Sequence, residues 1–486
     1  MSSFPLIFLS FLLYLLSFPP FKIFPASFIA LVPLLLALKK MKTKQILLIA
    51  LFYFYIFWLF HTWWILNMEV EPSTKPWLVA GLVILPLYLA IYNSIPFLLI
   101  KHKYRILVIP SLWILLEFIR SSGYTGFPWE NIAYSQLENP YFRMLNSVGG
   151  IFFTGFLIIF LNVLLFEYLQ TRRNVYFRTF LLLLLTTHGL GAYLYHKKEP
   201  VGKPVKVLIF QPNILPREED DYEEWVEVCK SYGMFLDEVK DTYDLVILPE
   251  SAIPGYFRYS LKANIIVDSI SRKAKAPVLL GSADVQFNGK RRVYNTAFLV
   301  SEDSILGQYN KIHLVPFGEW LPYENKIKLL QRIEFGQGDF SPGDSINVLH
   351  TKNGVPFGAL ICFESIFPYI SREYSKKGAE FLVNITSDGW YGRSLGPVEH
   401  FEHLRFRAIE SGKYILRSAK TGISAVIDPK GRVLQRLGLF TWGYIPCEIE
   451  SSYTNTIYTR IGDCFVFFCF VLLIFLFIIE IRRNKK

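Results

Sequence analysis

Apolar residues gather into long runs over the N-terminal part of this 486-residue chain and return once near its end. Runs rich in Leu, Ile, Phe and Val cover Phe4–Phe18, Phe21–Leu38, Gln45–Leu66, Trp77–Ile100, Tyr104–Ile119, Gly150–Leu169, Tyr176–Tyr195 and Gly462–Ile481. Most approach the ~20 residues that a helix needs to cross a hydrocarbon core, so eight transmembrane helices are expected. Pro19, Pro20, Pro25 and Pro33 interrupt the first two, because proline removes a donor and breaks an interior turn.

After His196, at HKKEPVGKP, the pattern changes to short apolar stretches bounded by Gly, Pro, Asn or Asp. Strands are expected at Lys206–Gln211, Leu245–Pro249, Val278–Ser282, Tyr294–Val300, Phe357–Cys362, Phe381–Thr386, Tyr414–Ala419 and Ser424–Ile427. Helical spacing appears at Asp221–Val239, Leu261–Lys275, Pro368–Lys377 and Pro397–Ser411. An α/β sandwich follows. The expected organisation is seven helices over 1–198, an extramembrane domain over 199–458, and a last helix with a basic tail over 459–486.

Composition agrees with a bilayer. Hydrophobic residues make up 52% of the chain and mean hydropathy is +0.32, both high for a water-soluble protein of this size. No basic residue precedes Lys22, so the first run reads as a retained anchor and not a cleaved leader. Basic clusters follow the second, fourth, sixth and eighth runs (Lys39 to Lys44, Lys101 to Arg105, Arg172 to Arg178, Arg482 to Lys486). All fall on one face, which the positive-inside rule makes cytoplasmic. Both termini are then cytoplasmic and the large domain is periplasmic or external. The same clusters account for most of the net charge of +11, so headgroup contacts and topology explain it without a nucleic-acid partner.

Three residues carry the candidate chemistry. Glu250 lies in VILPES, Lys311 in YNKIHLVPFGEW and Cys362 in ALICFES, each in its own strand-end segment. A thiol, a carboxylate and an ammonium make a covalent acyl-transfer site: nucleophile, proton acceptor and oxyanion partner. Singly, each has an ordinary role: a helix cap, a solvated loop charge, a small core residue. Cys229 and Cys447 leave a disulfide open, while no CxxC spacing or His cluster points to a metal.

These strings, in this order, resemble the Glu-Lys-Cys signature of the nitrilase superfamily. Within it HLVPFGEWLP between two membrane regions resembles the apolipoprotein N-acyltransferases, as do GFPWENIAYSQ, QPNI, NITSDGWYG and the HFEHLRFRAIESGKYILRSAKTGISAVIDPKGR block. The resemblance implies a nitrilase-like αββα sandwich and a two-step reaction without a cofactor. An acyl chain from a membrane phospholipid would pass through a Cys362 thioester to the α-amine of a diacylglyceryl-cysteine apolipoprotein, with the enzyme a monomer in the inner membrane. It also implies that Glu319 and Glu364 orient Lys311 and tune its charge, and that Trp225 and Trp390 line the acyl channel. Phe363, Pro212 and Lys420 depart from the family's usual Tyr, Gly and Asn.

Two rivals share parts of the pattern. A membrane-tethered amidase acting on a small soluble substrate would need one anchor helix and not seven, and a transporter or receptor would have no use for the thiol. Two lipidic substrates must reach one sulfur in turn, so a mobile apolar loop is expected within Gln308–Phe340 or Asp388–Pro397.

Overall fold

The computed structural model describes residues 3–484 apart from 69–71, 73, 199, 201, 216–221, 288 and 323–339. It divides into two compact units, one of residues 1–66, 76–198 and 460–486 and the other of residues 67–75 and 199–459.

The first unit is helical. Among the described residues five helical segments are long and apolar enough to cross a membrane: Thr43–Asn67, Lys75–Leu99, Phe142–Thr171, Asn174–His196 and Cys464–Arg483. The other expected runs form shorter helices, Phe4–Leu16, Phe24–Leu38 and Arg105–Arg120, so a count of eight spans goes beyond these five. Pro25 and Pro33 split the second of these into a 3-10 turn, Phe24–Phe28, and a short helix, Val32–Leu38. The freed backbone groups need partners inside an apolar layer. Asn162 supplies two, accepting from the Leu31 amide at 2.9 Å and donating to the Ser27 carbonyl at 2.8 Å. Ser10 donates to the Ala30 carbonyl at 2.6 Å, and Gln136 donates to that of Phe24 at 3.1 Å.

The second unit holds two six-stranded sheets. The first contains β1 (Pro204–Gln211), β2 (Leu245–Ile247), β3 (Val278–Phe287), β4 (Arg291–Ser301) and β5 (Ser304–Asn310). The second contains β6 (Leu349–His350), β7 (Pro356–Ile361), β8 (Phe381–Thr386), β9 (Ile415–Ala419), β10 (Ala425–Ile427) and β11 (Val433–Arg436). A last strand, β12 (Gly443–Glu450), returns to pair antiparallel with β1, giving orders β12-β1-β2-β3-β4-β5 and β11-β10-β9-β8-β7-β6.

Alternation within each strand explains the layers. Leu208 and Phe210, Val246 and Leu248, Val278 and Leu280, and Phe298 and Val300 form one buried cluster with Val228, Tyr232 and Phe235 of the helix Tyr222–Glu238 and with Val267 and Ile270 of the helix Leu261–Ala274. The intervening residues, such as Val207, Ile209, Leu245 and Ile247, are also buried. A strand apolar on both faces is sandwiched on both. The helices Pro368–Lys376 and Gly396–Ser411 pack with the second sheet's elements, which completes an αββα sandwich.

The chain direction brings functional groups to one edge. β1, β2 and β3 run parallel, as do β7, β8 and β9. Two antiparallel steps, β3 to β4 and β4 to β5, turn β5 back to run with β2. The C-terminal ends of β2, β5, β7, β8 and β9 therefore deliver Glu250, Lys311, Cys362, Asp388 and Lys420, the edge at which α/β sheets hold reactive groups.

β5, β6, β11 and β12 were not among the expected strands. Gly307 and polar neighbours dilute β5, and Pro446 sits in β12, tolerable because β12 is an edge strand whose outer side needs no donor. All five cysteines are free, so Cys229 and Cys447 are not paired. Of the Gln308–Phe340 stretch, residues 323–339 lie outside the described residues.

Candidate active site

Cys362 occupies the turn between β7 and a 3-10 helix, Cys362–Ile366, with φ +50°. A non-glycine residue in this region is strained by ~1–3 kcal/mol and persists only where its surroundings enforce it. Glu364 supplies part of that enforcement. Its Oε2 accepts from the Ile361 amide at 2.8 Å, while its Oε1 accepts from the Ile312 amide at 2.8 Å, the His313 amide at 3.2 Å and the Tyr309 hydroxyl at 2.7 Å. One buried carboxylate thus ties the Cys362 turn to the segment just after Lys311. Burial pushes its pKa up to about 7 against the pull of these donors.

Glu250 is reached by a similar device. Ser251, the next residue, takes φ +47°. Gly281 on β3 makes room, since a Cβ there would stand 2.6 Å from the Glu250 Cα. The Glu250 carboxylate accepts from the Ser387 amide at 2.8 Å and the Asn295 side-chain amide at 2.7 Å, and it and the Cys362 thiol each bear on the other's proton affinity. Burial foremost, with Glu319 adding to it, raises its proton affinity, while Lys311 opposes the shift.

Lys311 is fully buried, unlike a solvated loop charge. Its Nζ lies 2.8 Å from Glu319 Oε1 and 3.8 Å from Glu250 Oε1. Burial disfavours its charge, but the Glu319 and Glu250 carboxylates and the Cys362 sulfur outweigh that and raise its pKa, so the ammonium form persists. Glu319 also accepts from the Val315 amide at 2.8 Å, and Asn295 donates to its Oε1 at 3.0 Å. Burial foremost and Glu250 next push the Cys362 thiol up, with Lys311 pulling it down. The resting sulfur is a thiol beside a carboxylate and a fixed cation. That set can accept a proton, attack a carbonyl and neutralise an oxyanion.

The two tryptophans part company. Trp390 sits in the 3-10 turn Gly389–Tyr391, directly after Asp388 at the end of β8, where Tyr391 senses the charges of Cys362, Asp388 and Glu250. Trp225 instead packs on the helix-covered outer face of the first sheet, with the Lys262 ammonium 5.4 Å from its ring centroid. It makes no bond to the Glu250–Lys311–Cys362 cluster. Lys420, where the family usually has Asn, is buried in an ion pair with Glu224 at 3.0 Å. Asn295, Tyr309, Thr386, Asp388 and His400 were not anticipated. A polar Asn inside the apolar β4 run was the one available signal, since a buried amide needs partners.

Residues 206–458 match the model of the carbon-nitrogen hydrolases, and residues 10–164 that of the apolipoprotein N-acyltransferase N-terminal domain. An apolipoprotein N-acyltransferase of Geobacter metallireducens is 32% identical over 95% of this chain and 92% of its own length. The chain belongs to the apolipoprotein N-acyltransferase family. Its relatives of that name include one from Rhodopseudomonas palustris, 33% identical over 81% of this chain and 78% of the relative, and one from Haemophilus ducreyi, 26% identical over 97% and 95%. As in an apolipoprotein N-acyltransferase, a helical membrane unit and an αββα unit of the carbon-nitrogen hydrolase type are joined in one acyltransferase chain.

Proposed function

We propose that this acyltransferase moves a fatty acyl chain from a membrane phospholipid, through a thioester on Cys362, to the N-terminal α-amine of a diacylglyceryl-cysteine lipoprotein. The observation that carries this reading is the Glu250 carboxylate, which bears directly on the proton affinity of the Cys362 thiol and lies 3.8 Å from the buried Lys311 ammonium, in a family of apolipoprotein N-acyltransferases.

In the first half-reaction Glu250 takes the Cys362 proton as Sγ attacks the ester carbonyl of the phospholipid. The oxyanion gathers beside Lys311, whose raised pKa keeps it a cation and bars it from acting as the base. Collapse breaks the C–O bond, Glu250 returns its proton to the departing lysophospholipid oxygen, and the acyl group remains on sulfur. In the second, the lipoprotein amine attacks the thioester, Glu250 accepts the amine's proton, and the sulfur leaves to be reprotonated. Glu319 holds Lys311 in place, Glu364 holds the Cys362 turn, and Trp390 borders the acyl path. A raised Glu250 proton affinity suits a group that must both take and return a proton near neutral pH.

The basic clusters favour an inner-membrane protein with cytoplasmic termini and a periplasmic catalytic domain over 199–458. That face is where lipidated substrates would meet the outer leaflet, and a monomer suffices because each catalytic group comes from one chain. The test is mass spectrometry of the purified protein after incubation with a phospholipid bearing a labelled acyl chain. A labelled adduct on Cys362 that disappears when an amine-bearing lipopeptide is added supports transfer. Immediate release of free fatty acid, or no adduct, points to a hydrolase and overturns it.

A further inference from the structure

Behind the Cys362 turn lies a second chain of buried groups that plays no part in the acid–base steps above. Arg417 of β9 donates to Asp388 Oδ2 at 2.5 Å and, through its other arm, to Asn384 Oδ1 at 2.7 Å. Asp388 Oδ1 lies 2.9 Å from His400 Nδ1, and His400 Nε2 lies 2.8 Å from Ser365 Oγ, three residues beyond Cys362 in the same 3-10 helix. The Cys362 carbonyl oxygen is 3.1 Å from that same nitrogen. Asp388, His400, Ser365 and Arg417 are all 0–1% exposed, so Ser365 is no second nucleophile despite its Ser-His-Asp surroundings.

Asp388 is held anionic because Arg417 and His400 outweigh the penalty of burial. Asp388 thereby holds His400 through Nδ1, and His400 Nε2 faces both the Ser365 hydroxyl and the Cys362 carbonyl. Asp388 Oδ1 also accepts from Thr386 Oγ1 at 2.9 Å, and both Thr386 and Asp388 bear on the proton affinity of the Cys362 sulfur. One carboxylate, pinned by one arginine, reaches the nucleophile from two sides: through Thr386 to the sulfur, and through His400 and Ser365 to the turn. Gly422 lets the segment after β9 close over it, since a Cβ there would lie 2.4 Å from Asp388 Oδ2.

We propose that Asp388 and His400 are positioning residues for the acyl-transfer reaction, holding the strained Cys362 turn so that its sulfur stays aligned with Glu250 and Lys311. This rests on Cys362 being the nucleophile. Glu364 clamps the turn on its β7 side, and the Asp388–His400–Ser365 chain clamps it from the following helix. Misplacing a reacting group by about 1 Å is enough to cost roughly 100-fold in rate.

The test compares wild type, His400→Asn, His400→Gln and Ser365→Ala in single-turnover acylation by a phospholipid with a fluorescent acyl chain. Asn keeps a donor to Asp388 but removes the group that reaches Ser365, and Gln places an amide where Nε2 stood. We expect His400→Asn and Ser365→Ala to lower the acylation rate roughly 10- to 100-fold at unchanged phospholipid KM, with His400→Gln recovering part of the loss. Wild-type rates in His400→Asn or Ser365→Ala, or a change confined to KM, overturn the proposal. Ser365→Ala removes only a hydroxyl, so it decides the matter if a His400 variant does not fold. Absence of label on Cys362 in the wild type would instead refute the nucleophile assignment itself.

Discussion

Lys311 leans on Glu319 and stands off from Glu250: its Nζ is 2.8 Å from the Glu319 carboxylate and 3.8 Å from that of Glu250. Asn295 bridges both carboxylates, donating to Oε1 of each. Two anions therefore share one ammonium and one amide, and the closer bond goes to Glu319, the carboxylate to which the proposed mechanism gives no proton transfer. Glu319 takes up the cation and so leaves Glu250 less tightly paired and more basic.

Glu319→Gln should reverse that division. Removing the neighbouring anion lowers the proton affinity of Glu250, and Lys311 is free to close on it as a salt bridge. The acid limb of the acylation pH profile should move down by about one pH unit, and the maximal rate should fall roughly 10- to 100-fold. Single-turnover acylation across pH 5–9 measures both. An unmoved acid limb would show that Glu319 does not act through Glu250.

Lys311→Met removes the cation facing the oxyanion and should cost ~3 kcal/mol of transition-state stabilisation, roughly 100- to 1000-fold in acylation rate. It also strands two buried carboxylates, so thermal unfolding should show a loss of about 3–5 kcal/mol. Lys311→Arg should not restore activity, because a planar fork cannot occupy the site of a compact ammonium. The rate and the unfolding midpoint are read on the same preparations.

Glu364→Gln tests the clamp on the Cys362 turn. An amide keeps one acceptor but turns an NH2 toward a backbone donor, either Ile361 on one side or Ile312 and His313 on the other. An unsatisfied buried donor costs about 1–3 kcal/mol, and loosening a turn at φ +50° should slow acylation roughly tenfold or more. A variant with wild-type rate and stability would show that the turn is held by other contacts.

The reading from sequence reached the site through strand ends. Apolar runs that stop at Glu250 and Cys362 signal the C-terminal edge of a sheet, whereas no such run precedes Lys311 on the polar β5, and short apolar strands alternating with helical stretches signal an α/β sandwich. The order of strands was not legible, because pairing between β1 and β12 joins segments with no local mark of each other. Asn295, Asp388 and His400 escaped notice for a related reason: a buried polar residue looks the same in sequence whether it satisfies a backbone group or bridges two carboxylates. Glu364, expected to orient Lys311 and tune its charge, feels the Lys311 cation and takes its four donors from three backbone amides and the Tyr309 hydroxyl. Trp225, expected along the acyl path, packs against the helix layer on the first sheet.

His313 makes a prediction about acid stability. It is buried against the Phe367 ring, with Nδ1 3.0 Å from the Tyr369 hydroxyl. Burial foremost, and Lys311 after it, hold its pKa down to about 4. An unfolded histidine titrates near ~6.5. The unfolded chain thus binds more protons than the folded one between these values, so the contribution of His313 to stability is present above pH ~6.5 and is lost as pH falls toward about 4, by at most ~3 kcal/mol. Glu364 works against this slope, because its raised pKa makes the folded state bind the extra proton between the ordinary carboxylate range and about 7. The wild-type curve alone therefore mixes two signs, and the difference from His313→Gln isolates one. Denaturant unfolding of both proteins at pH 7.5, 6.0 and 4.5 should show the stability gap between them narrowing or reversing in favour of Gln as pH falls. A gap that stays constant across that range would mean that His313 titrates alike in the folded and unfolded chain.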